Sequence, residues 1–210
     1  MVETQLLPLR VVDGFRLPRP HRDALMPGGV LCDEKGRTRQ LPRYFYEVSS
    51  WDEALELPLA PHFHLWEFIH TDVREAPPLR VFPRYVPCAV TLLALLLERF
   101  RDATGTYVRI AANGGYRSPR HQLTCRASTH CWGTAVNIYR IGDTYLETRE
   151  AIERYAEIAR EALPGVWVRP YGEDQGFADD HLHLDLGYVI SVPHHAPGDP
   201  FNPKLESDPL

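Results

Sequence analysis

The chain has 210 residues, 44% of them hydrophobic and 24% charged, which suits one soluble domain with a core of its own. The formal net charge is -5 with no long run of one sign, so a nucleic-acid partner is not expected. The longest apolar run, Val86 to Leu97, is interrupted by Pro87 and too short to span a bilayer, and Met1 to Arg10 lacks a signal's apolar stretch; the expected place is the cytoplasm, or the cell envelope by another export route.

Residues 1 to about 60 mix short apolar pieces with many prolines, and loops with short strands are expected there. Trp51 to Leu57 reads as one or two helical turns ended by Pro58. His64 to Phe68 reads as a short amphipathic helix. Pro83 to Ala103 reads as a long one, with Pro83 or Pro87 in its first turn, Val90, Leu93, Leu96, Leu97 and Phe100 on one face, and Gly105 as its stop. Tyr107 to Ile110 alternates like a strand, and Asn113-Gly114-Gly115 marks a bend. Ala135 to Tyr139 is a further strand candidate. Thr148 caps a helix running to Leu163, and Val166–Val168 and His181–Leu186 complete the strands. This order predicts an α+β fold: a small, mostly antiparallel sheet covered by helices on one side.

None of the four cysteines forms a C-x-x-C pair, so Cys32, Cys88, Cys125 and Cys131 read as packed thiols rather than a metal ribbon or redox motif.

Three segments hold the polar chemistry. They are Gly115-Tyr116-Arg117-Ser118-Pro119, Ser128-Thr129-His130-Cys131-Trp132-Gly133-Thr134-Ala135-Val136-Asn137-Ile138, and Asp180-His181-Leu182-His183-Leu184-Asp185. On a strand, His181 and His183 point to one face. Alone, each segment has an ordinary reading: a tight turn with a surface arginine, a structural histidine, a pair of solvated acids.

Together they resemble the zinc D-Ala-D-Ala carboxypeptidase family, which shares its fold with the Hedgehog signalling domain. The match to its S-x-H-x-x-G-x-A-x-D-I signature is carried by Ser128, His130, Gly133, Ala135 and Ile138, and Gly-Tyr-Arg-Ser-Pro and the closing histidines also resemble family segments. The opening Phe63 to Phe68 resembles the family's first helix, so the likeness covers roughly residues 63 to 190. It implies a peptidase-like domain over 63–192, and the proline-rich ends read as an irregular N-terminal extension over 1–62 packed on the domain and an irregular tail over 193–210. It further implies zinc held by His130, the residue at 137 and His183, Asp180 taking the proton of the attacking water, and Arg117 binding a peptide carboxylate with Ser118 or Ser128 adding a hydrogen bond. Peptidoglycan stem peptides are the implied substrate class.

The departure is at position 137, where the family's aspartate ligand is Asn137. A neutral amide coordinates less strongly than a carboxylate. Three readings follow: weak zinc binding with retained activity; completion of the site by Cys131, Asp179, Asp185 or His181; or loss of the metal, leaving a non-catalytic module that binds a peptide or a protein.

Overall fold

The computed structural model describes residues 7–172 and 178–197; residues 198–210, most of the expected tail, lie outside them. In chain order the strands and helices are β1 (Val11–Asp13), α1 (Arg19–Leu25), β2 (Val30–Cys32), β3 (Thr38–Gln40), β4 (Tyr44–Val48), α2 (Trp51–Glu56), β5 (Pro58–Ala60), β6 (Phe63–His64) and α3 (Leu65–Ile69). There follow β7 (Arg84–Pro87), α4 (Val90–Thr104), β8 (Val108–Ile110), β9 (Ala135–Ile141), β10 (Thr144–Tyr145), α5 (Arg149–Ala162), β11 (Trp167–Val168) and β12 (Leu182–Asp185). The class is α+β, with small antiparallel sheets packed against helices. Among the described residues no helix is long and apolar enough to cross a membrane.

The sheet that builds the site is β11–β12–β9, with β8 and β10 also paired to β9. Its register sorts every side chain. Val136 lies opposite Leu184, Ile138 opposite Leu182, and Val168 opposite Leu184, all buried against the helices. The alternate residues share the other face: Asn137 opposite His183, and Asp185 opposite both Ala135 and Trp167. A slip of one residue would bury the polar set and expose the aliphatic one, so the apolar face fixes the register of the site.

α4 and α5 supply the layer beneath. On α4, Val90, Leu93, Ala94, Leu97 and Phe100 are fully buried, and each large side chain among them contributes about 1.5–3 kcal/mol. Gly105 ends the helix at φ 68, a left-handed conformation that glycine tolerates. The Thr148 hydroxyl accepts from the Ala151 amide and starts α5, whose Ile152, Tyr155, Ala156 and Ala159 face inward.

One expectation changes. The helix expected from Pro83 begins at Val90, because Arg84–Pro87 pairs with β4 as a fully buried strand. The N-terminal segment holds short strands: β1 and β4 complete a three-stranded sheet with β7, and β5 pairs with β6 across residue 62. Its prolines keep each element too short to show a period, while non-local pairing holds them in place.

Candidate functional site

The site lies on the polar face of β9 and β12 and is closed by the loop 111–134. Gly114 and Gly115 let that loop run close to its neighbours. A Cβ on Gly115 would lie 2.3 Å from the Phe68 carbonyl oxygen, and one on Gly114 would lie 2.7 Å from that of Asn137. The Ala111 amide donates to the Asn137 carbonyl and the Asn137 amide to the Gly114 carbonyl, so the loop extends the sheet at position 137. His130 sits in a 3₁₀ turn over Thr129–Trp132, which Gly133 closes at φ 68.

His130 and His183 converge, with ring centres 5.2 Å apart. One zinc ion held about 2.0–2.1 Å from two imidazole nitrogens brings the ring centres to within roughly 6 Å. Both rings are buried, at 1% exposure each. Burial, with the nearby Arg117 and Arg169 guanidiniums, holds both well below the usual histidine range, so they are neutral and each carries one ring proton.

The acceptors around two of the rings place those protons. His130 Nδ1–H donates to the Gly115 carbonyl at 2.7 Å, and its Nε2 is buried without a partner. His181, whose ring centre is 6.5 Å from that of His183, donates Nδ1–H to Asp180, and its buried Nε2 has no partner. His183 lies between two acceptors, Asn137 Oδ1 2.7 Å from Nδ1 and Asp185 Oδ2 3.3 Å from Nε2, and its one proton serves one of them. His130 and His181 are thus each held by an acceptor on one nitrogen and offer a lone pair on the other, and His183 does the same when its proton is on Nε2. Metal-binding histidines are oriented in this way.

His183 Nδ1 meets Asn137 Oδ1 at 2.7 Å. With the His183 proton on Nδ1, that contact is an ordinary hydrogen bond from the ring to the amide oxygen. With the proton on Nε2 it joins two lone pairs, and a cation shared by both atoms, or a turned amide whose Nδ2–H donates to the ring, relieves it. The donor set fits zinc: two neutral imidazole nitrogens, an amide oxygen and a further position for a small ligand.

The other candidates for completing the set are placed differently. Among the described residues no three of His, Cys, Asp and Glu are grouped to hold a metal ion. Burial pushes the Cys131 thiol up to about 12, and its sulfur faces Thr124. Asp185 supports His183 from behind and accepts from Thr129 Oγ and the Gly187 amide. Asp179 is exposed.

Arg117 is half-buried, with its Nε buried and without a hydrogen-bond partner, and it makes no ion pair among the described residues. Burial pushes its guanidinium down to about 10, with Arg169 and Arg74 adding repulsion. Ser118 is fully buried, and both its hydroxyl and its amide donate to Glu75. Ser128 is half-buried on the wall of a cleft of about 540 Å³. The Asp180 side chain is 77% exposed and that of His181 18% exposed, and the two are joined by the Nδ1–carboxylate contact.

Several contributors carry no signal in the sequence. Trp167 packs edge-on to His183 at 5.6 Å, and Arg169 and the hairpin residues Lys35 and Arg37 line the same cleft. Glu75 carries no motif. Trp167 and Arg169 become legible only once β11 is known to pair with β12. A second hollow of about 460 Å³, lined by Trp66, His70 and Tyr139, lies further along β9, where Tyr139 shares the face of Asn137. Comparisons with protein-family models, curated proteins and solved structures return no match.

Proposed function

We propose that this protein is a zinc-dependent peptidase acting on short peptides with a free carboxylate, with peptidoglycan stem peptides as the favoured class. One observation carries the reading: His130 and His183 converge as a buried pair with ring centres 5.2 Å apart, His130 with Nδ1 fixed on the Gly115 carbonyl and Nε2 without a partner, and His183 with Nδ1 against Asn137 Oδ1. His130, Asn137 and His183 would hold the metal, which supplies Lewis-acid polarisation of the scissile carbonyl when bound. Arg117 anchors the peptide carboxylate, and burial strengthens that pairing. His181 Nε2 accepts the proton of the attacking water, and Asp180 holds the imidazole in the tautomer that can do so. Ser128, on the wall of the cleft, is placed to donate a hydrogen bond to the peptide.

A second reading, a peptide-binding relative without catalysis, is favoured by Asn137 itself. With the ring proton on Nδ1, or with the amide turned, it satisfies His183 with no cation present. Metal analysis of protein purified without added zinc, then reconstituted with zinc and assayed on short peptides, separates the two. Stoichiometric zinc with hydrolysis is expected. Failure to retain zinc after reconstitution, with peptide binding intact, sinks the peptidase and leaves the binding module.

A further inference from the structure

Arg169 follows β11, and its amide donates to the His183 carbonyl at 3.1 Å, which places it beside His183 on the polar face of the sheet. Its Nε is buried without a partner, and among the described residues the guanidinium makes no ion pair or side-chain hydrogen bond. The guanidinium lies 5.5 Å from the centre of the Trp167 ring, and both residues line the 540 Å³ cleft. Of the acids nearby, Asp185 and Asp33 are already engaged, and Glu34 on the wall of the same cleft is exposed and makes no ion pair among the described residues. Asp185 serves Thr129, Gly187 and His183, and Asp33 serves Arg37 and Arg39. Arg117 and Arg169 both lie close enough to His130, His181 and His183 to oppose protonation of all three rings. The site therefore holds two partly desolvated guanidiniums, and one carboxylate can neutralise only one of them. Leaving the other unpaired is costly.

We propose that Arg169 is a second carboxylate-recognition residue, which selects peptides carrying an acidic side chain next to the end held by Arg117. This deepens the reading of the site as a peptide cleft and rests on it. The planar fork of Arg169 pairs with a carboxylate in two parallel hydrogen bonds, and the Trp167 ring backs it. Lys35, on the facing hairpin of the same cleft, adds positive charge to the approach.

The test is calorimetric titration of the full chain, with zinc and with chelator, using N-acetyl-Glu-Ala and N-acetyl-Gln-Ala. Wild type is expected to bind the acidic peptide about tenfold or more tightly, as befits one charge-assisted pair. Arg169→Gln is expected to bring the ratio to about one and leave affinity for the neutral peptide unchanged, whereas Arg117→Gln weakens both peptides alike. A melting curve confirms that each variant is folded. A wild-type ratio near one, a ratio that survives in Arg169→Gln, or no saturable binding of either peptide overturns the proposal. Hydrolysis is scored separately. A preference without hydrolysis at any zinc concentration removes the peptidase and keeps the role of Arg169; hydrolysis without a preference does the reverse.

Discussion

Asn137 and His183 stand directly opposite each other on β9 and β12, with the amide oxygen 2.7 Å from the ring Nδ1. Asn137→Asp therefore reads differently with and without metal. It should raise zinc affinity by about tenfold or more, since changes merely behind a ligand already alter affinity by about 10–100-fold. In chelator it should leave the melting temperature nearly unchanged, because His183 Nδ1–H donates to a carboxylate oxygen as it does to an amide oxygen. Zinc titration and melting curves of both proteins check this. An unchanged zinc affinity would show that His130 and His183 do not share an ion.

The Asp180–His181 pair makes a graded prediction for hydrolysis. His181→Ala should reduce kcat by roughly 10²–10⁴, the usual contribution of a positioned acid or base. Asp180→Asn should cost less, because it leaves the imidazole and disturbs only its tautomer. Equal losses would place the proton transfer on Asp180 itself.

Zinc and an acidic peptide should bind cooperatively. The proposed cation site at His130 and His183 lies near Arg117 and Arg169 and would have no carboxylate ligand, so a peptide anion would offset the repulsion that a lone cation meets. Saturating N-acetyl-Glu-Ala should tighten zinc binding by a factor within about 5–150, and zinc should tighten the peptide by the same factor. Titrations in both orders test that reciprocity.

The motifs are legible in the sequence because they are local. A histidine and the residue seven positions on meet at one site, and strand parity puts His181 and His183 on one face. The roles of Asp180 and His181 are not separable in this way, since they depend on which way a ring and a carboxylate turn. Ser118 belongs to a recognisable segment, yet its hydroxyl is engaged by Glu75, 43 residues earlier, which no spacing rule announces. β7 reads as the start of the following helix because a short, fully buried strand has no period of its own. Its partner, β4, lies about 40 residues upstream.

Trp132→Ala tests how far the N-terminal segment belongs to the site's own domain. The indole is fully buried, and its N–H donates to the Gln40 carbonyl at 2.9 Å. The substitution should cost roughly 3–5 kcal/mol in denaturant unfolding, in a single transition. A separate early transition would show that residues 7–62 unfold on their own.

Acid should unfold the same N-terminal layer. Burial acts to raise the Asp33 carboxyl, but hydrogen bonds from the Arg37 amide, the Arg39 and Arg37 side chains and the Lys35 amide outweigh it and hold the group below the usual carboxylate range. The Asp13 carboxyl is likewise lowered, because Arg43 and the Phe15 amide outweigh burial. A folded value below the unfolded value of 3.8 means stability that is complete above pH 3.8 and lost as pH falls toward the folded value. Melting temperature measured from about pH 6 to 2 should therefore fall below about pH 4, and less steeply in Asp33→Asn.

The Phe68 carbonyl accepts from the Tyr116 amide, and Gly115 has no room there for even one added carbon. The Gly115 carbonyl in turn sets the rotation of His130. A helix of five residues thereby sets the rotation of an imidazole through the backbone of Gly115, and heritable change at His130 can arise from residues 65–69 as well as from the ring's own neighbours in sequence.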